Sequence, residues 1–372
     1  MIWRHEAAKM LDDGKSNAQI AKKLGLNKRT VERWRSKYQK GRASPLTVTG
    51  KSTLSRVDED GKKTAILVWD KENLSKADIA EQVRAFIQSL IEPIRGAASL
   101  TASPVEYFQD LLNIIPYGDP HVGLYAWAKE AGDDYDLKIA EDLMISVTEA
   151  LLRRAPKAAE CWIINLGDFF HADSQANATP ASGHLLDVDS RWPKIQQAGA
   201  RIMRRIIQIA LERHERVTVK CVRGNHDPHA GYTLAMILAA YYESEPRVVV
   251  DLDPGAFWYR TWGRNLFGVC HGHTVKKVDD LPSIMAADCP VEWGAARHRR
   301  WLLGHFHNSS MKEHRGCSVE IFRTLAPADA WTQASGYRSD RSLSMLTVHR
   351  DHGITSRAEQ FFDSFEEMER VA

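Results

Sequence analysis

Five times along the chain an apolar run stops and a cluster of Asp, His or Asn begins at once. LLNIIP leads to GDPHVG at residues 118–123, CWIINL to GDFFHAD at 167–173, and VTVKCV to GNHD at 224–227. NLFGVC leads to HGHT at 271–274, and WLL to GHFH at 304–307. Helical periodicity fills the gaps over residues 137–152 and 199–214, so the body alternates strand-like and helix-like segments, the pattern of an α/β layered fold. Such folds carry their sites beyond the carboxyl ends of strands. A single cluster of this kind reads as a turn or a helix cap, but five in series do not.

The clusters form one chemical set. Asp119, His121, Asp168, Asn225, His271, His305 and His307 mix oxygen and nitrogen donors and include no cysteine, which suits Mn²⁺ foremost, and Fe or Zn²⁺ after it. Seven ligands are too many for one tetrahedral ion. They suffice for two divalent ions with Asp168 bridging and positions left open for water and phosphate.

The series D-x-H, G-D, G-N-H-D, H-G-H and G-H-x-H, in that order, resembles the calcineurin-like metallophosphoesterase superfamily over about Asn113 to Asp363. The resemblance implies a two-sheet β-sandwich flanked by helices. It places Asp119, His121 and His307 on a first ion and Asn225, His271 and His305 on a second, with Asp168 shared. His226 falls where the family places the His that contacts the phosphate and assists the leaving group, and Asp227 where an acidic residue orients that His. The implied activity is phosphodiester hydrolysis by a metal-activated hydroxide. GDFFHAD is similar to the G-D-x-F-H of break-repair nucleases, and the overall plan resembles metallophosphoesterases of phages and prophages, so DNA is the expected substrate. His171 reads either as a nuclease motif residue or as a hydrogen-bond partner that orients a ligand. His273 reads as a substrate contact or a support for His271.

Charge divides the chain of 372 residues unevenly. Through Arg42 it carries 12 Lys and Arg against 4 Asp and Glu, a net of +8, which leaves −6 for the remainder. A basic head on a mildly acidic body points to a polyanion partner. Within that head, Ser16 caps an expected helix over 17–24, Gly25 supplies a turn, and a second helix is expected over 28–38, with a supporting segment at 5–11. NAQIAKKLGLNKRTVERWRS thereby resembles the helix-turn-helix family, whose second helix enters the major groove. Lys28, Arg29, Thr30 and Arg33 are the expected readers of base edges, with Lys22, Lys23 and Lys37 nearer phosphates. A lone module of this size binds weakly, so a homodimer or a second DNA contact is expected.

Three domains follow: a helix-turn-helix at 1–42, a linker with a hairpin and a helix at 43–105, and the metallophosphoesterase domain at 106–372. STLSRV and TAILVWD flank a hairpin turn signal at 58–62, and Ser75 begins the expected linker helix. Gly50-Lys51-Ser52 imitates the tail of a phosphate-binding loop, but Pro45 stands where that motif needs glycine. Arg201, Arg204 and Arg205 read as the wet side of a helix. The run Arg297-His298-Arg299-Arg300-Trp301 reads either as the lining of a strand-binding groove near the site or as a solvated turn. Five scattered cysteines without a C-x-x-C pair suggest reduced thiols, and the apolar runs are too short to span a bilayer; a cytoplasmic protein is expected. The rivals to a DNA nuclease are a DNA-tethered phosphatase of phosphoproteins or nucleotides, and a catalytically inert DNA-binding regulator.

Overall fold

The computed structural model describes residues 7, 10, 15–32, 46–57, 63–74, 91–328, 333, 336 and 339–362. They fall into two compact units, Met1–Leu90 and Ile91–Ala372. Among the described residues no helix is long and apolar enough to cross a membrane.

In the first unit, α1 (Asn17–Leu24) begins at Ser16, whose side chain accepts from the Gln19 N–H while Gln19 returns a bond to the Ser16 N–H. This reciprocal cap satisfies two N–H groups that a helix start leaves unpaired. Gly25 ends the helix in the left-handed region, and the Asn27 side chain accepts from Arg29 N–H to open a second helical segment, 28–32. Ala7, Ile20, Ala21 and Val31 are buried together, with Met10, Leu24 and Leu26 packed around them. The rest of the expected 28–38 helix, with Arg33 and Lys37, lies outside the described residues, as does the expected linker helix from Ser75. β1 (Leu46–Val57) and β2 (Lys63–Leu74) pair antiparallel as the expected hairpin, and Gly50-Lys51-Ser52 is ordinary strand within it.

The second unit has four layers. A six-stranded sheet has the order β13-β12-β3-β4-β5-β6, formed by β3 (Phe108–Tyr117), β4 (Ala158–Asn165), β5 (Arg216–Cys221), β6 (Val248–Asp251), β12 (Ser342–His349) and β13 (Gly353–Phe361). A five-stranded sheet has the order β10-β11-β9-β8-β7, formed by β7 (Trp258–Trp262), β8 (Asn265–Cys270), β9 (His298–Leu303), β10 (Ser310–His314) and β11 (Cys317–Ile321). β3, β4, β5 and β6 run parallel, as do β8, β9 and β11. This is the two-sheet sandwich with flanking helices that the motif series implies.

The period-2 alternation of the strands builds the layers. Leu112, Ile114, Trp162, Ile164, Phe267, Val269 and Leu302 point between the sheets. Ile115, Cys161, Ile163, Val217 and Val219 face the other way, onto α2 (Leu137–Arg154), α3 (Trp192–Leu211) and α4 (Ala230–Tyr241). Leu266, Trp301 and Leu303 turn outward beneath α5 (Leu281–Asp288) and α6 (Pro290–Ala295). α3 starts at Trp192, seven residues before the expected position, because Pro193 fits a first helical turn where its missing N–H costs nothing. The segment after Ile91 is strapped to the end of α4: Gly96 N–H donates to the Ala240 carbonyl, Ala98 N–H to Tyr241, and Arg95 pairs with Glu243.

Trp162 is the more deeply buried of two tryptophans between the sheets. It meets Trp258 and Phe267 edge-on and donates its indole N–H to Glu160. Trp162→Ala is expected to destabilise the second unit by about 3–5 kcal/mol in urea unfolding, the loss for a large buried aromatic. A loss below about 1 kcal/mol would show that the sheets pack without it.

Candidate metal centre

The expected ligands stand where strands end. Asp119 and His121 follow β3, Asp168 follows β4, Asn225 and His226 follow β5, His271 follows β8, and His305 and His307 follow β9. Because these strands are parallel within each sheet, their carboxyl ends open at one pole, and the residues just past them converge. Asp119, His121 and His307 form one group of potential ligand atoms, and Asp168, His271 and His305 a second. Asn225 joins the second group through its Oδ1, 3.0 Å from His271 Nε2. All seven expected ligands are thus at one site.

Backbone conformation marks the same residues. Asp119, His121, Asp168, His305 and His307 all have positive φ, and among the described residues only Asn177 otherwise does so without being glycine. Positive φ costs an L-residue roughly 1–2 kcal/mol, a strain that persists only where the surroundings impose it. Close backbone approach matters too. A Cβ on Gly224 would lie 1.8 Å from Asp168 Oδ1, so only glycine lets the strand end pass this carboxylate.

Hydrogen bonds orient each group. His271 Nδ1 donates to the Leu166 carbonyl, which leaves Nε2 facing Asp168 Oδ2 at 3.2 Å. Asp119 Oδ2 accepts from His305 N–H, and Asp168 Oδ1 from His226 N–H. Asp119 Oδ1 is buried with no hydrogen-bond partner among the described residues, 3.6 Å from His307 Nε2. His121 Nε2 and His307 Nε2 lie 3.2 Å apart. An orphaned carboxylate oxygen beside two converging imidazole nitrogens is a donor set that fits a divalent cation.

The electrostatics agree. Burial alone would depress His271, but the Asp168 and Asp119 carboxylates and the bond to Leu166 outweigh it and raise its pKa to about 9. Burial would raise Asp168, yet His271 and then His226 and His121 hold it well below the ordinary carboxylate range. His305 is lowered to about 4 by burial and by His271, and His121 is held well below its usual value by burial and its His neighbours. The second group therefore favours positive charge, and a metal ion bound there would compete with a proton for His271.

The catalytic candidates separate. His226 Nδ1 donates to the His171 carbonyl, so its Nε2 is directed away from that bond, and the residue lines the site cavity. Asp227 does not orient His226. Its buried carboxylate accepts from the backbone N–H groups of Asp168, Phe170 and Gly224, and so ties the turn after β4 to the turn after β5. Burial and then Asp168 push it well above its ordinary range. His171 Nδ1 lies 3.2 Å from His121 Nδ1, and the two form a third compact group with His226. His273 is exposed, its ring 5.1 Å from that of His271.

A cavity of about 650 Å³ opens over the site, floored by His121, Asp168, Asn225, His226, His305 and His307. Its wall includes Thr324 and Arg341, which the sequence did not single out. Thr324 donates to the Asp119 carbonyl. The Arg341 guanidinium lies 3.8 Å over Phe362, bonded to Asp133 and the Leu325 carbonyl. No local pattern flags either residue; long-range packing brings them in. Arg201 and Arg205 pair with Glu141 and Glu212, and Arg204 stacks on Tyr241. In the first unit Lys22, Lys23, Lys28, Arg29 and Thr30 are exposed, on and beside the second helical segment.

Residues 1–47 match the family described as the homeodomain-like domain. No curated protein matches the chain. Among solved structures, the chain is similar to a predicted phosphoesterase from Streptococcus pneumoniae, 13% identical over 68% of this chain and 99% of that one, with a TM-score of 0.28. An archaeal phosphodiesterase is 12% identical over 68% and 99%, with a TM-score of 0.33. Vps29 from Entamoeba histolytica, solved with zinc, is 12% identical over 68% and 97%, with a TM-score of 0.29. At such identities and scores the likeness carries no weight beyond the chain's own side chains.

The left-handed ligand positions can be tested directly. His307→Gly is expected to be more stable than His307→Ala by about 1 kcal/mol in metal-free protein, the reverse of the usual order, because glycine accepts φ of 51° without strain. A less stable glycine variant would place no strain at this turn.

Proposed function

We propose that the chain is a two-metal phosphodiesterase acting on DNA, with its helix-turn-helix unit binding the duplex. The carrying observation is the meeting at five strand ends of Asp119, His121 and His307 in one group and of Asp168, His271 and His305 in a second, with Asn225 beside His271, and a buried Asp119 Oδ1 that has no hydrogen bond among the described residues. Asp119, His121 and His307 would hold one ion and Asn225, His271 and His305 the other, with Asp168 between them. Bound there, two divalent ions neutralise phosphate oxygens and make hydroxide available near neutral pH. Mn²⁺ suits the mixed donors best, with Fe and Zn²⁺ next.

The chain's own groups supply position and protons. The His171 carbonyl fixes the His226 ring, and as imidazolium its Nε2 donates to the oxygen that leaves phosphorus. Asp227 holds the two turns that carry Asp168 and Asn225 in fixed relation, so it acts through the backbone. The cavity has room for a phosphodiester and its flanking sugars, within the usual range for bound small molecules. The basic, exposed face of the first unit is suited to DNA phosphates, with Lys28, Arg29 and Thr30 toward the bases.

End-labelled single- and double-stranded DNA with Mn²⁺ is the decisive assay. Wild type is expected to cleave, and Asp168→Asn to fall to background while unfolding as wild type does, since Asn retains an oxygen for the His226 N–H. Near-normal cleavage by that variant would overturn the two-metal reading. Hydrolysis of a phosphomonoester without DNA cleavage would instead identify a DNA-tethered phosphatase.

His226→Gln is expected to slow cleavage by roughly a hundredfold or more without loss of bound metal, which elemental analysis after dialysis would check. Loss of metal in that variant would make His226 a ligand. Arg29→Ala is expected to weaken duplex binding by about 1–3 kcal/mol and to relax the preference at one base position. Unchanged affinity would remove this helix from the interface.

A further inference from the structure

The strand directions that gather the ligands at one pole leave a different chemistry at the other. β9 starts beside Arg297 and ends at the site, so its residues put about 20 Å, at ~3.3 Å each, between Arg297 and Gly304. The arginine run is therefore remote from the metal centre and does not line its cavity. At this far pole also lie the turn between β7 and β8 with Arg264, the turn between β10 and β11 with Arg315, and the turn between β12 and β13 with Arg350 and His352.

These elements enclose a cleft of about 390 Å³, lined by Arg297, His298, Arg299, Arg300, His314 and His352, with Glu313 as the one carboxylate in its wall. Arg299 is fixed by the carbonyls of Trp293, Ala296 and Gly316, neutral partners that hold the guanidinium in place, and no carboxylate among the described residues pairs with it. Its plane also lies over Trp293, 4.6 Å from the ring. Arg300 shares Glu320 with Arg357, so that carboxylate faces two guanidinium groups. His314 is in the wall, but its buried Nε2 faces the Asp279 carboxylate at 3.7 Å, on the side away from the cleft lining. Arg297 is exposed at the cleft.

We propose that this cleft is a second, metal-independent anion site that takes a phosphate ester, carried by a nucleic-acid strand or by a free nucleotide. The exposed Arg297 beside the fixed positive charge of Arg299, with His298, Arg300 and His352 in the same wall, suits a multiply charged oxyanion. The volume fits one phosphate with its sugar and base. The site is independent of the hydrolytic reading, because none of its groups contributes to the metal centre.

The test uses the full chain in EDTA, which keeps metal-dependent phosphate binding out of the measurement. Adenosine monophosphate is titrated calorimetrically, and a short fluorescein-labelled single-stranded DNA by anisotropy. Three proteins are compared: wild type, Arg297→Glu, and Arg153→Glu, which makes the same charge change on an exposed face of α2. Arg297→Glu is expected to weaken binding roughly tenfold and Arg153→Glu to leave it unchanged. Loss of mononucleotide binding identifies a free nucleotide as the source, and loss for the strand alone identifies nucleic acid. Equal affinities in the two variants, or no binding of either probe to wild type, would overturn the proposal. Hydrolysis of bis(p-nitrophenyl) phosphate with Mn²⁺ is expected to be unchanged by Arg297→Glu. If that hydrolysis is absent throughout while the cleft binds, the hydrolytic reading fails and the anion site stands.

Discussion

Parallel pairing is the constraint from which the rest of the second unit follows. β3, β4 and β5 run side by side in one sheet, β8 and β9 in the other, and each pair shares a hydrogen-bonded register. Residues that are far apart in sequence then end their strands at the same height. Asp119 and His305 are 186 positions apart, yet the N–H of one meets the carboxylate of the other at 2.7 Å. Parallel strands need crossovers, and α2, α3 and α4 both supply them and cover the outer face. Polar residues could not otherwise be assembled at the rim of so apolar a sandwich.

Burial then makes the assembled groups demanding. Asp119, Asp168 and His271 have lost nearly all contact with water. Each must find compensation from protein dipoles, from a neighbouring charge or from an ion. Backbone N–H groups satisfy Asp227 and half of Asp119. The remaining half of Asp119, together with the imidazole nitrogens around it, is a concentration of lone pairs that only positive charge relieves. The raised pKa of His271, caused by the Asp168 and Asp119 carboxylates against the opposing effect of burial, is the local expression of that demand.

Much of this was legible in the sequence because strand end and ligand are adjacent there. The apolar run and the cluster after it occupy about ten residues, so periodicity and composition reveal both together. The helix-turn-helix signal was local in the same way: Ser16, Gln19 and Gly25 act on their immediate neighbours. What escaped depends on distant partners. Arg341 reaches the cavity wall because Asp133 and Phe362 hold it there, and nothing near it in sequence says so. Asp227 stands beside His226 in the chain but faces the backbone of Asp168 and Gly224. The run from Arg297 to Trp301 was visible as charge, but its place was not, since whether a residue lies at the start or the end of a strand decides which pole it occupies.

The left-handed turns at Asp119, His121, Asp168, His305 and His307 also determine how the cradle responds to load. Each ligand sits within one to four residues of a hydrogen-bonded strand, with no slack loop between. The spacing of the donors is therefore tied to the repeat of the sheets, about 4.8 Å between neighbouring strands, and changes only when a sheet deforms. Such a cradle is stiff. It could not tighten around a small ion or widen for a large one by moving a loop, so ionic radius would weigh beside charge in any choice it made among divalent cations.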